Sequence, residues 1–150
     1  MTETKRDELE FLAIEDISRV LGRGFTPPKL TARPTMTIID WLHSDVAIEL
    51  ELDWREQEIF CLLVRLEHGK LPEGYYVANG NPCRYHLQKV IRKHSWNTNP
   101  DAFAVISKRS DRLRHKDLAY MRHLLSAYEI VLTSCVERIR TVGRTVFENA

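Results

Sequence analysis

A chain of 150 residues with 43% hydrophobic and 29% charged side chains suits one globular domain with its own core, and excludes a disordered or low-complexity polypeptide. No run approaches the ~18 to 20 apolar residues of a membrane-spanning helix, and the polar, acidic N-terminus lacks the apolar stretch of a secretory leader. The formal net charge of +1 hides a split: residues through Pro82 carry fifteen acidic and nine basic side chains, a net of −6, whereas those from Cys83 onward carry six and thirteen, a net of +7.

In chain order, residues 7–21 read as a first helix, with Leu9, Leu12, Ile17, Val20 and Leu21 on one stripe and Gly22 and Gly24 as its stop. Residues 25–34 hold Pro27, Pro28 and Pro34 and read as an extended connection. Residues 36–42 read as a strand. In residues 46–54, Ile48, Leu50, Leu52 and Trp54 alternate with Ala47, Glu49, Glu51 and Asp53, the period of a strand with one face on a core and one in water. Residues 55–58 form a hairpin loop. Residues 59–66 are apolar on both faces until Arg65, as in a strand covered on both sides.

Residues 69–74 read as a turn and residues 75–77 as a short strand ended by Asn79-Gly80. Asn81-Pro82 predicts the start of a second helix, asparagine capping and proline at the first helical position, with Tyr85, Leu87, Val90 and Ile91 as its apolar side. Residues 102–106 are a short apolar element of either type. From Asp117 almost to the C-terminus the pattern is helical. Leu118, Leu125, Leu132, Ile139 and Val146 recur every seven residues, interleaved with Met121, Tyr128, Cys135 and Val142. Such a helix would be about 45 Å long and is expected to pack across the sheet and the first helix; a dimeric coiled coil is the alternative.

Chemistry is sparse. Cys61, Cys83 and Cys135 are odd in number and widely spaced, fit neither a disulfide framework nor a CxxC pair, and point to a cytoplasmic location. The six histidines form no H-x-x-x-H pair, so no metal and no cofactor is expected. No nucleophile elbow, P-loop or dinucleotide fingerprint is present, and no catalytic residue is assigned. The row Glu49, Glu51, Asp53, with Glu56 and Glu58 close by, would spread charge about 7 Å apart along a strand, which does not chelate but does attract a basic partner. The basic residues 108–116, with Arg84, Lys89, Arg92 and Lys93, could meet nucleic-acid phosphates, but lack interleaved aromatics.

A small, motif-poor α+β chain with a carboxylate-faced sheet over residues 46–66 resembles the immunity proteins of bacterial toxin systems. The resemblance implies a protein that binds a toxin delivered by a neighbouring cell and blocks its active site or substrate channel. Toxins of this kind are frequently basic nucleases, which an acidic surface suits. The expectation is one α+β domain over residues 1–150. It holds an antiparallel sheet of three to five strands centred on residues 46–66, packed against helices that include a long C-terminal one. Its expected function is non-enzymatic: an immunity-type inhibitor binding a basic toxin through exposed Glu49, Glu51, Asp53, Glu56 and Glu58, as a monomer or weak dimer. A nucleic-acid-associated regulator using the basic second half is the alternative.

Overall fold

The computed structural model describes residues 2–108 and 117–148. The first helix, α1 (Glu3–Leu21), starts a turn earlier than its apolar stripe requires because Thr2 caps it, its hydroxyl accepting the Lys5 N–H at 3.3 Å. Leu9, Ala13, Ile17 and Leu21, four residues apart, make its buried face. Gly22, at φ 66, ends it.

Four antiparallel strands follow: β1 (Lys29–Ala32), β2 (Met36–His43), β3 (Val46–Asp53) and β4 (Glu58–Arg65). A short hairpin, β5 (Val77–Ala78) and β6 (Asn81–Pro82), precedes β7 (Arg84–His86), which returns to pair with β4. The five-stranded sheet has the order β1-β2-β3-β4-β7. Helices α2 (Leu87–His94), α3 (Pro100–Ser107) and α4 (Leu118–Val142) and a 3-10 turn (Gly143–Phe147) complete the described chain. The fold is α+β.

Ile48, Leu50, Leu52 and Trp54 are buried together, as their shared parity requires, with Ile39, Trp41, Ile59, Cys61 and Leu63 beside them on the same sheet face. Against this face lie α1 and α4. The two helices run in the same direction: Glu8 approaches Arg122 at 3.6 Å near their starts, and Arg140 donates to the Leu21 carbonyl near their ends. Polar ties fix α1 to the sheet. The Trp41 indole donates to Ser18 Oγ at 2.9 Å, and the Trp54 indole donates to Thr37 Oγ1, whose own hydroxyl donates to Glu10.

The seven-residue seam of α4 faces this core. Met121, Leu125, Tyr128, Leu132, Cys135 and Ile139 are all buried, and so are Leu124 and Val131, which widen the stripe. Asp117 caps the helix, accepting the Tyr120 N–H at 2.9 Å. The helix stops at Gly143, earlier than the heptads imply. There φ is 49, and an added Cβ would lie 2.7 Å from the Asp45 carboxylate that receives the Arg144 N–H. Val146, the last seam residue, still reaches the core from the 3-10 turn.

Three assignments need correction. Of residues 75–77, expected as a short strand, only Val77 lies in one, β5; Tyr75 and Tyr76 precede it. Residues 81–82 and 84–86 are strand and not the beginning of a helix: Asn79 and Gly80, both at positive φ, make the two-residue turn of the β5–β6 hairpin, and α2 begins only at Leu87. The proline-rich residues 25–34 include the edge strand β1, whose N–H groups pair on one side only. Residues 102–106 resolve as helix α3, capped by Asn99, with Pro100 in its first turn. The basic stretch, apart from Lys108, lies outside the described residues.

A candidate functional site: carboxylates beneath a strap

Expected to be exposed, Glu49 and Glu51 are instead 1% and 3% accessible. The cause is the segment between β4 and β5, which folds back over the second sheet face as a strap, residues 71–76. Leu71 packs on a small apolar cluster of Ala47, Val64 and Leu66. Burial of Leu62 and Val64 on this face is what the doubly apolar β4 required. Because register places Leu62 beside Glu49 and Val64 beside Ala47, a cover over one strand covers its neighbour.

Beneath the strap, Asp40 of β2, Glu49 and Glu51 of β3, and Arg84 of β7 converge with Tyr75 of the strap. Asp40 and Glu49 are direct partners across the β2–β3 pair, so Glu51 lies diagonally from Asp40. Arg84 donates to both oxygens of Glu49, each at 3.1 Å, a bidentate pair buried on both sides. Its third nitrogen donates to the carbonyls of Gly74 and Tyr75, each at 2.9 Å, and the guanidinium lies 4.9 Å from the centroid of the Tyr75 ring. Arg84 thus holds the carboxylate and the strap at once. The Tyr75 hydroxyl donates to Glu51 Oε2 at 2.7 Å, and Cys83 Sγ donates to the Tyr75 carbonyl at 2.9 Å. Tyr76 meets His86 at 3.3 Å, and Arg65 donates to the Ala78 carbonyl.

These partners set the protonation of the cluster. Burial acts to raise the Glu49 pKa, but hydrogen bonds from Asp40 and Arg84 and the arginine's charge outweigh it and hold Glu49 below the ordinary carboxylate range. Asp40 is pushed up to about 8, first by burial and then by its hydrogen bond to Glu49 and the charge there. Glu51 is pushed up to about 7 by burial and by the charge of Glu49, with the Tyr75 hydrogen bond opposing. Near neutral pH the cluster therefore holds an ionised Glu49 paired with Arg84, a protonated Asp40 and a half-protonated Glu51. Burial also raises the thiols of Cys61 and Cys135, the latter to about 12, so neither is a ready nucleophile.

The cluster forms the wall of a half-open cleft of about 460 Å³. Met36, Ile38, Leu71 and Pro72 give it apolar surface, and Arg33 and Glu73 stand at it as well. Asp40 is 2% accessible, and its Oδ1 has no hydrogen-bond partner among the described residues. A buried acceptor in this condition costs about 1 to 3 kcal/mol unless something donates to it.

The five acidic residues read as one surface are therefore divided. Glu49 and Glu51 line the cleft. Asp53 closes the β3–β4 loop by accepting the Glu56 N–H at 2.9 Å, Glu58 receives the Tyr120 hydroxyl of α4 at 3.2 Å, and of the five only Glu56 is exposed. Sequence reasoning missed Asp40, Tyr75 and Arg84 as members of the site. The signal for a covered face was nonetheless present in residues 59–66, because a strand apolar on both sides does not pair with a neighbour left in water on one. Of the basic side chains on α2, Lys89 and Lys93 lie over the Tyr85 ring and Arg92 over Phe103.

Among the described residues, no group of three or more histidine, cysteine, aspartate or glutamate side chains is arranged to hold a metal ion. No helix among them is long and apolar enough to cross a membrane. Comparison with family models, with curated proteins and with solved structures gave no match to this chain.

Proposed function

We propose that this protein is a non-enzymatic binding protein of the immunity type, acting in the cytoplasm of a bacterial cell to neutralise a basic toxin through its carboxylate-lined cleft. The observation that carries the reading is the excess of carboxyl groups over cations there. Three buried carboxyl groups share one buried guanidinium, and Asp40 in the cleft wall has a buried oxygen without a hydrogen-bond partner among the described residues. A partner's cation supplies the missing donor. Tyr75, Tyr76 and Val77 are exposed beside the cleft and offer the aromatic and apolar contact area on which protein interfaces rely. The binding surface is thus a concave site with an aromatic rim rather than an open acidic sheet.

The test is to purify this chain with the product of the gene immediately beside its own. A one-to-one complex that abolishes the toxicity of that product is the expected result. An adjacent product without a toxic domain, or one that forms no complex, removes the inhibitor reading.

A further inference from the structure

Building on that reading, we propose that the cleft beneath the strap is a receptor site for a single guanidinium group, the side chain of an arginine presented by the partner. The wall offers two carboxyl groups on neighbouring strands. Asp40 and Glu51 each share a hydrogen bond with Glu49 and Glu51 Oε2 accepts from Tyr75, while Asp40 Oδ1 has no hydrogen-bond partner among the described residues. Their diagonal placement across the β2–β3 pair suits a planar, forked donor that reaches both carboxyl groups, which a lysine ammonium, a single point, does less well. Guanidinium is also more weakly hydrated than ammonium, so its transfer to a half-open cleft costs less. Met36, Ile38, Leu71 and Pro72 provide apolar surface against which the methylene stem of an arginine packs.

Arg84 shows the same chemistry already built into the wall. It pairs bidentately with Glu49 and lies over an aromatic ring. One guanidinium satisfies one carboxylate, and protons hold the other two. An incoming guanidinium replaces those protons: Asp40 and Glu51 each release what they carry as they ionise, and the charge of the ligand takes its place. The groups that face Asp40 are Lys29 on β1, Glu49 and Glu51 on β3, Arg84 on β7, and Arg33, Glu73 and Tyr75 around the cleft. Lys29 and Arg84 favour ionisation of Asp40 and Glu49 opposes it, so uptake of the cation strengthens as the pH rises through the range in which Asp40 and Glu51 lose their protons.

The experiment is calorimetric titration of the isolated full chain with N-acetyl-arginine amide, its lysine counterpart and the neutral isostere N-acetyl-citrulline amide. The arginine derivative should bind saturably at millimolar concentration, at least about tenfold more tightly than the other two. Its affinity should rise about tenfold or more between about pH 6 and about pH 9, with protons released in buffers of differing ionisation enthalpy. Asp40→Asn and Glu51→Gln should each weaken it about tenfold, whereas Glu56→Gln at the exposed loop should leave it unchanged. Folding of each variant is checked by its thermal transition. Equal binding of citrulline or lysine, absence of saturable binding, or full affinity in both cleft variants would overturn the proposal. Failure of the two readings is distinguishable. A toxin that binds Asp40→Asn and Glu51→Gln at full strength leaves the inhibitor standing and removes the arginine site. Arginine binding without any toxin partner does the reverse.

Discussion

A carboxyl group buried beside another carboxylate keeps its proton, and at Asp40 this has a consequence for stability. Asp40 titrates at about 8 when folded against an ordinary 3.8, so between those values the folded state holds a proton that the unfolded state has lost. The stabilisation is full below pH 3.8 and drains as the pH rises through 8. Glu51 acts in the same sense between 4.5 and about 7. Glu49, held below its ordinary value, acts in the opposite sense, and its contribution disappears only on acidification below about 4.5. The chain should therefore lose stability from about pH 5 to about pH 9, where many proteins are near their maximum. Asp40→Asn, which keeps a donor toward Glu49 and cannot ionise, should flatten that slope and raise the Tm at about pH 9 by about 3 to 8 °C, with little effect at about pH 5. A variant as pH-sensitive as the parent would show that Asp40 does not carry the effect. On the opposite face, Leu50 is fully buried, and Leu50→Ala should cost about 2 to 5 kcal/mol in denaturant unfolding. Alternation alone identified Leu50 as core. It said nothing reliable about Glu49, because period two separates the faces of a strand without telling whether the second face is wet.

Among the elements, the strap depends most on one residue. Arg84 joins Glu49 to the carbonyls of Gly74 and Tyr75, so its removal leaves a buried carboxylate unpaired and the strap without its main donor. Arg84→Met should destabilise the fold by about 3 to 5 kcal/mol near neutral pH, the range for breaking one side of a buried ion pair. Amide hydrogen exchange should quicken in residues 71–76 before it does in β2 or β3. Uniform protection across strap and sheet in that variant would show that Arg84 is not the fastening. The strap was illegible in advance for a physical reason: a loop of Gly, Pro and Tyr carries no periodicity, and its position is dictated by a hydrogen-bond network spanning four segments. The β5–β6 hairpin was legible in principle. Asn79-Gly80 is a strong two-residue hairpin signal, but Asn81-Pro82 also satisfies the rules for a helix start, and local propensity favoured the wrong one. By contrast α1, β3 and α4 were readable from their periodicity, and β2 and β4 as apolar runs of strand length.

For the molecule as a whole, the two ways of burying the sheet decide what remains available to a partner. Helices α1 and α4 cover one face, and the seam of α4, including Leu125 and Leu132, is consumed in that packing. The chain should accordingly sediment as a monomer at micromolar concentration; a tight dimer dissolved by Leu132→Glu without unfolding would restore the coiled coil. The other face is closed by the strap except at the cleft, so the carboxyl groups of Asp40, Glu49 and Glu51 are directed inward rather than spread over a surface. Carbon-detected NMR of the side-chain carboxyl groups, followed through a pH titration of the intact protein, tests this arrangement most directly. Asp40 should titrate near 8 and Glu51 near 7, each with a response that Arg84→Met alters. Titration of both Asp40 and Glu51 in the ordinary carboxylate range of about 4 would mean an open acidic sheet face and would contradict the buried cluster.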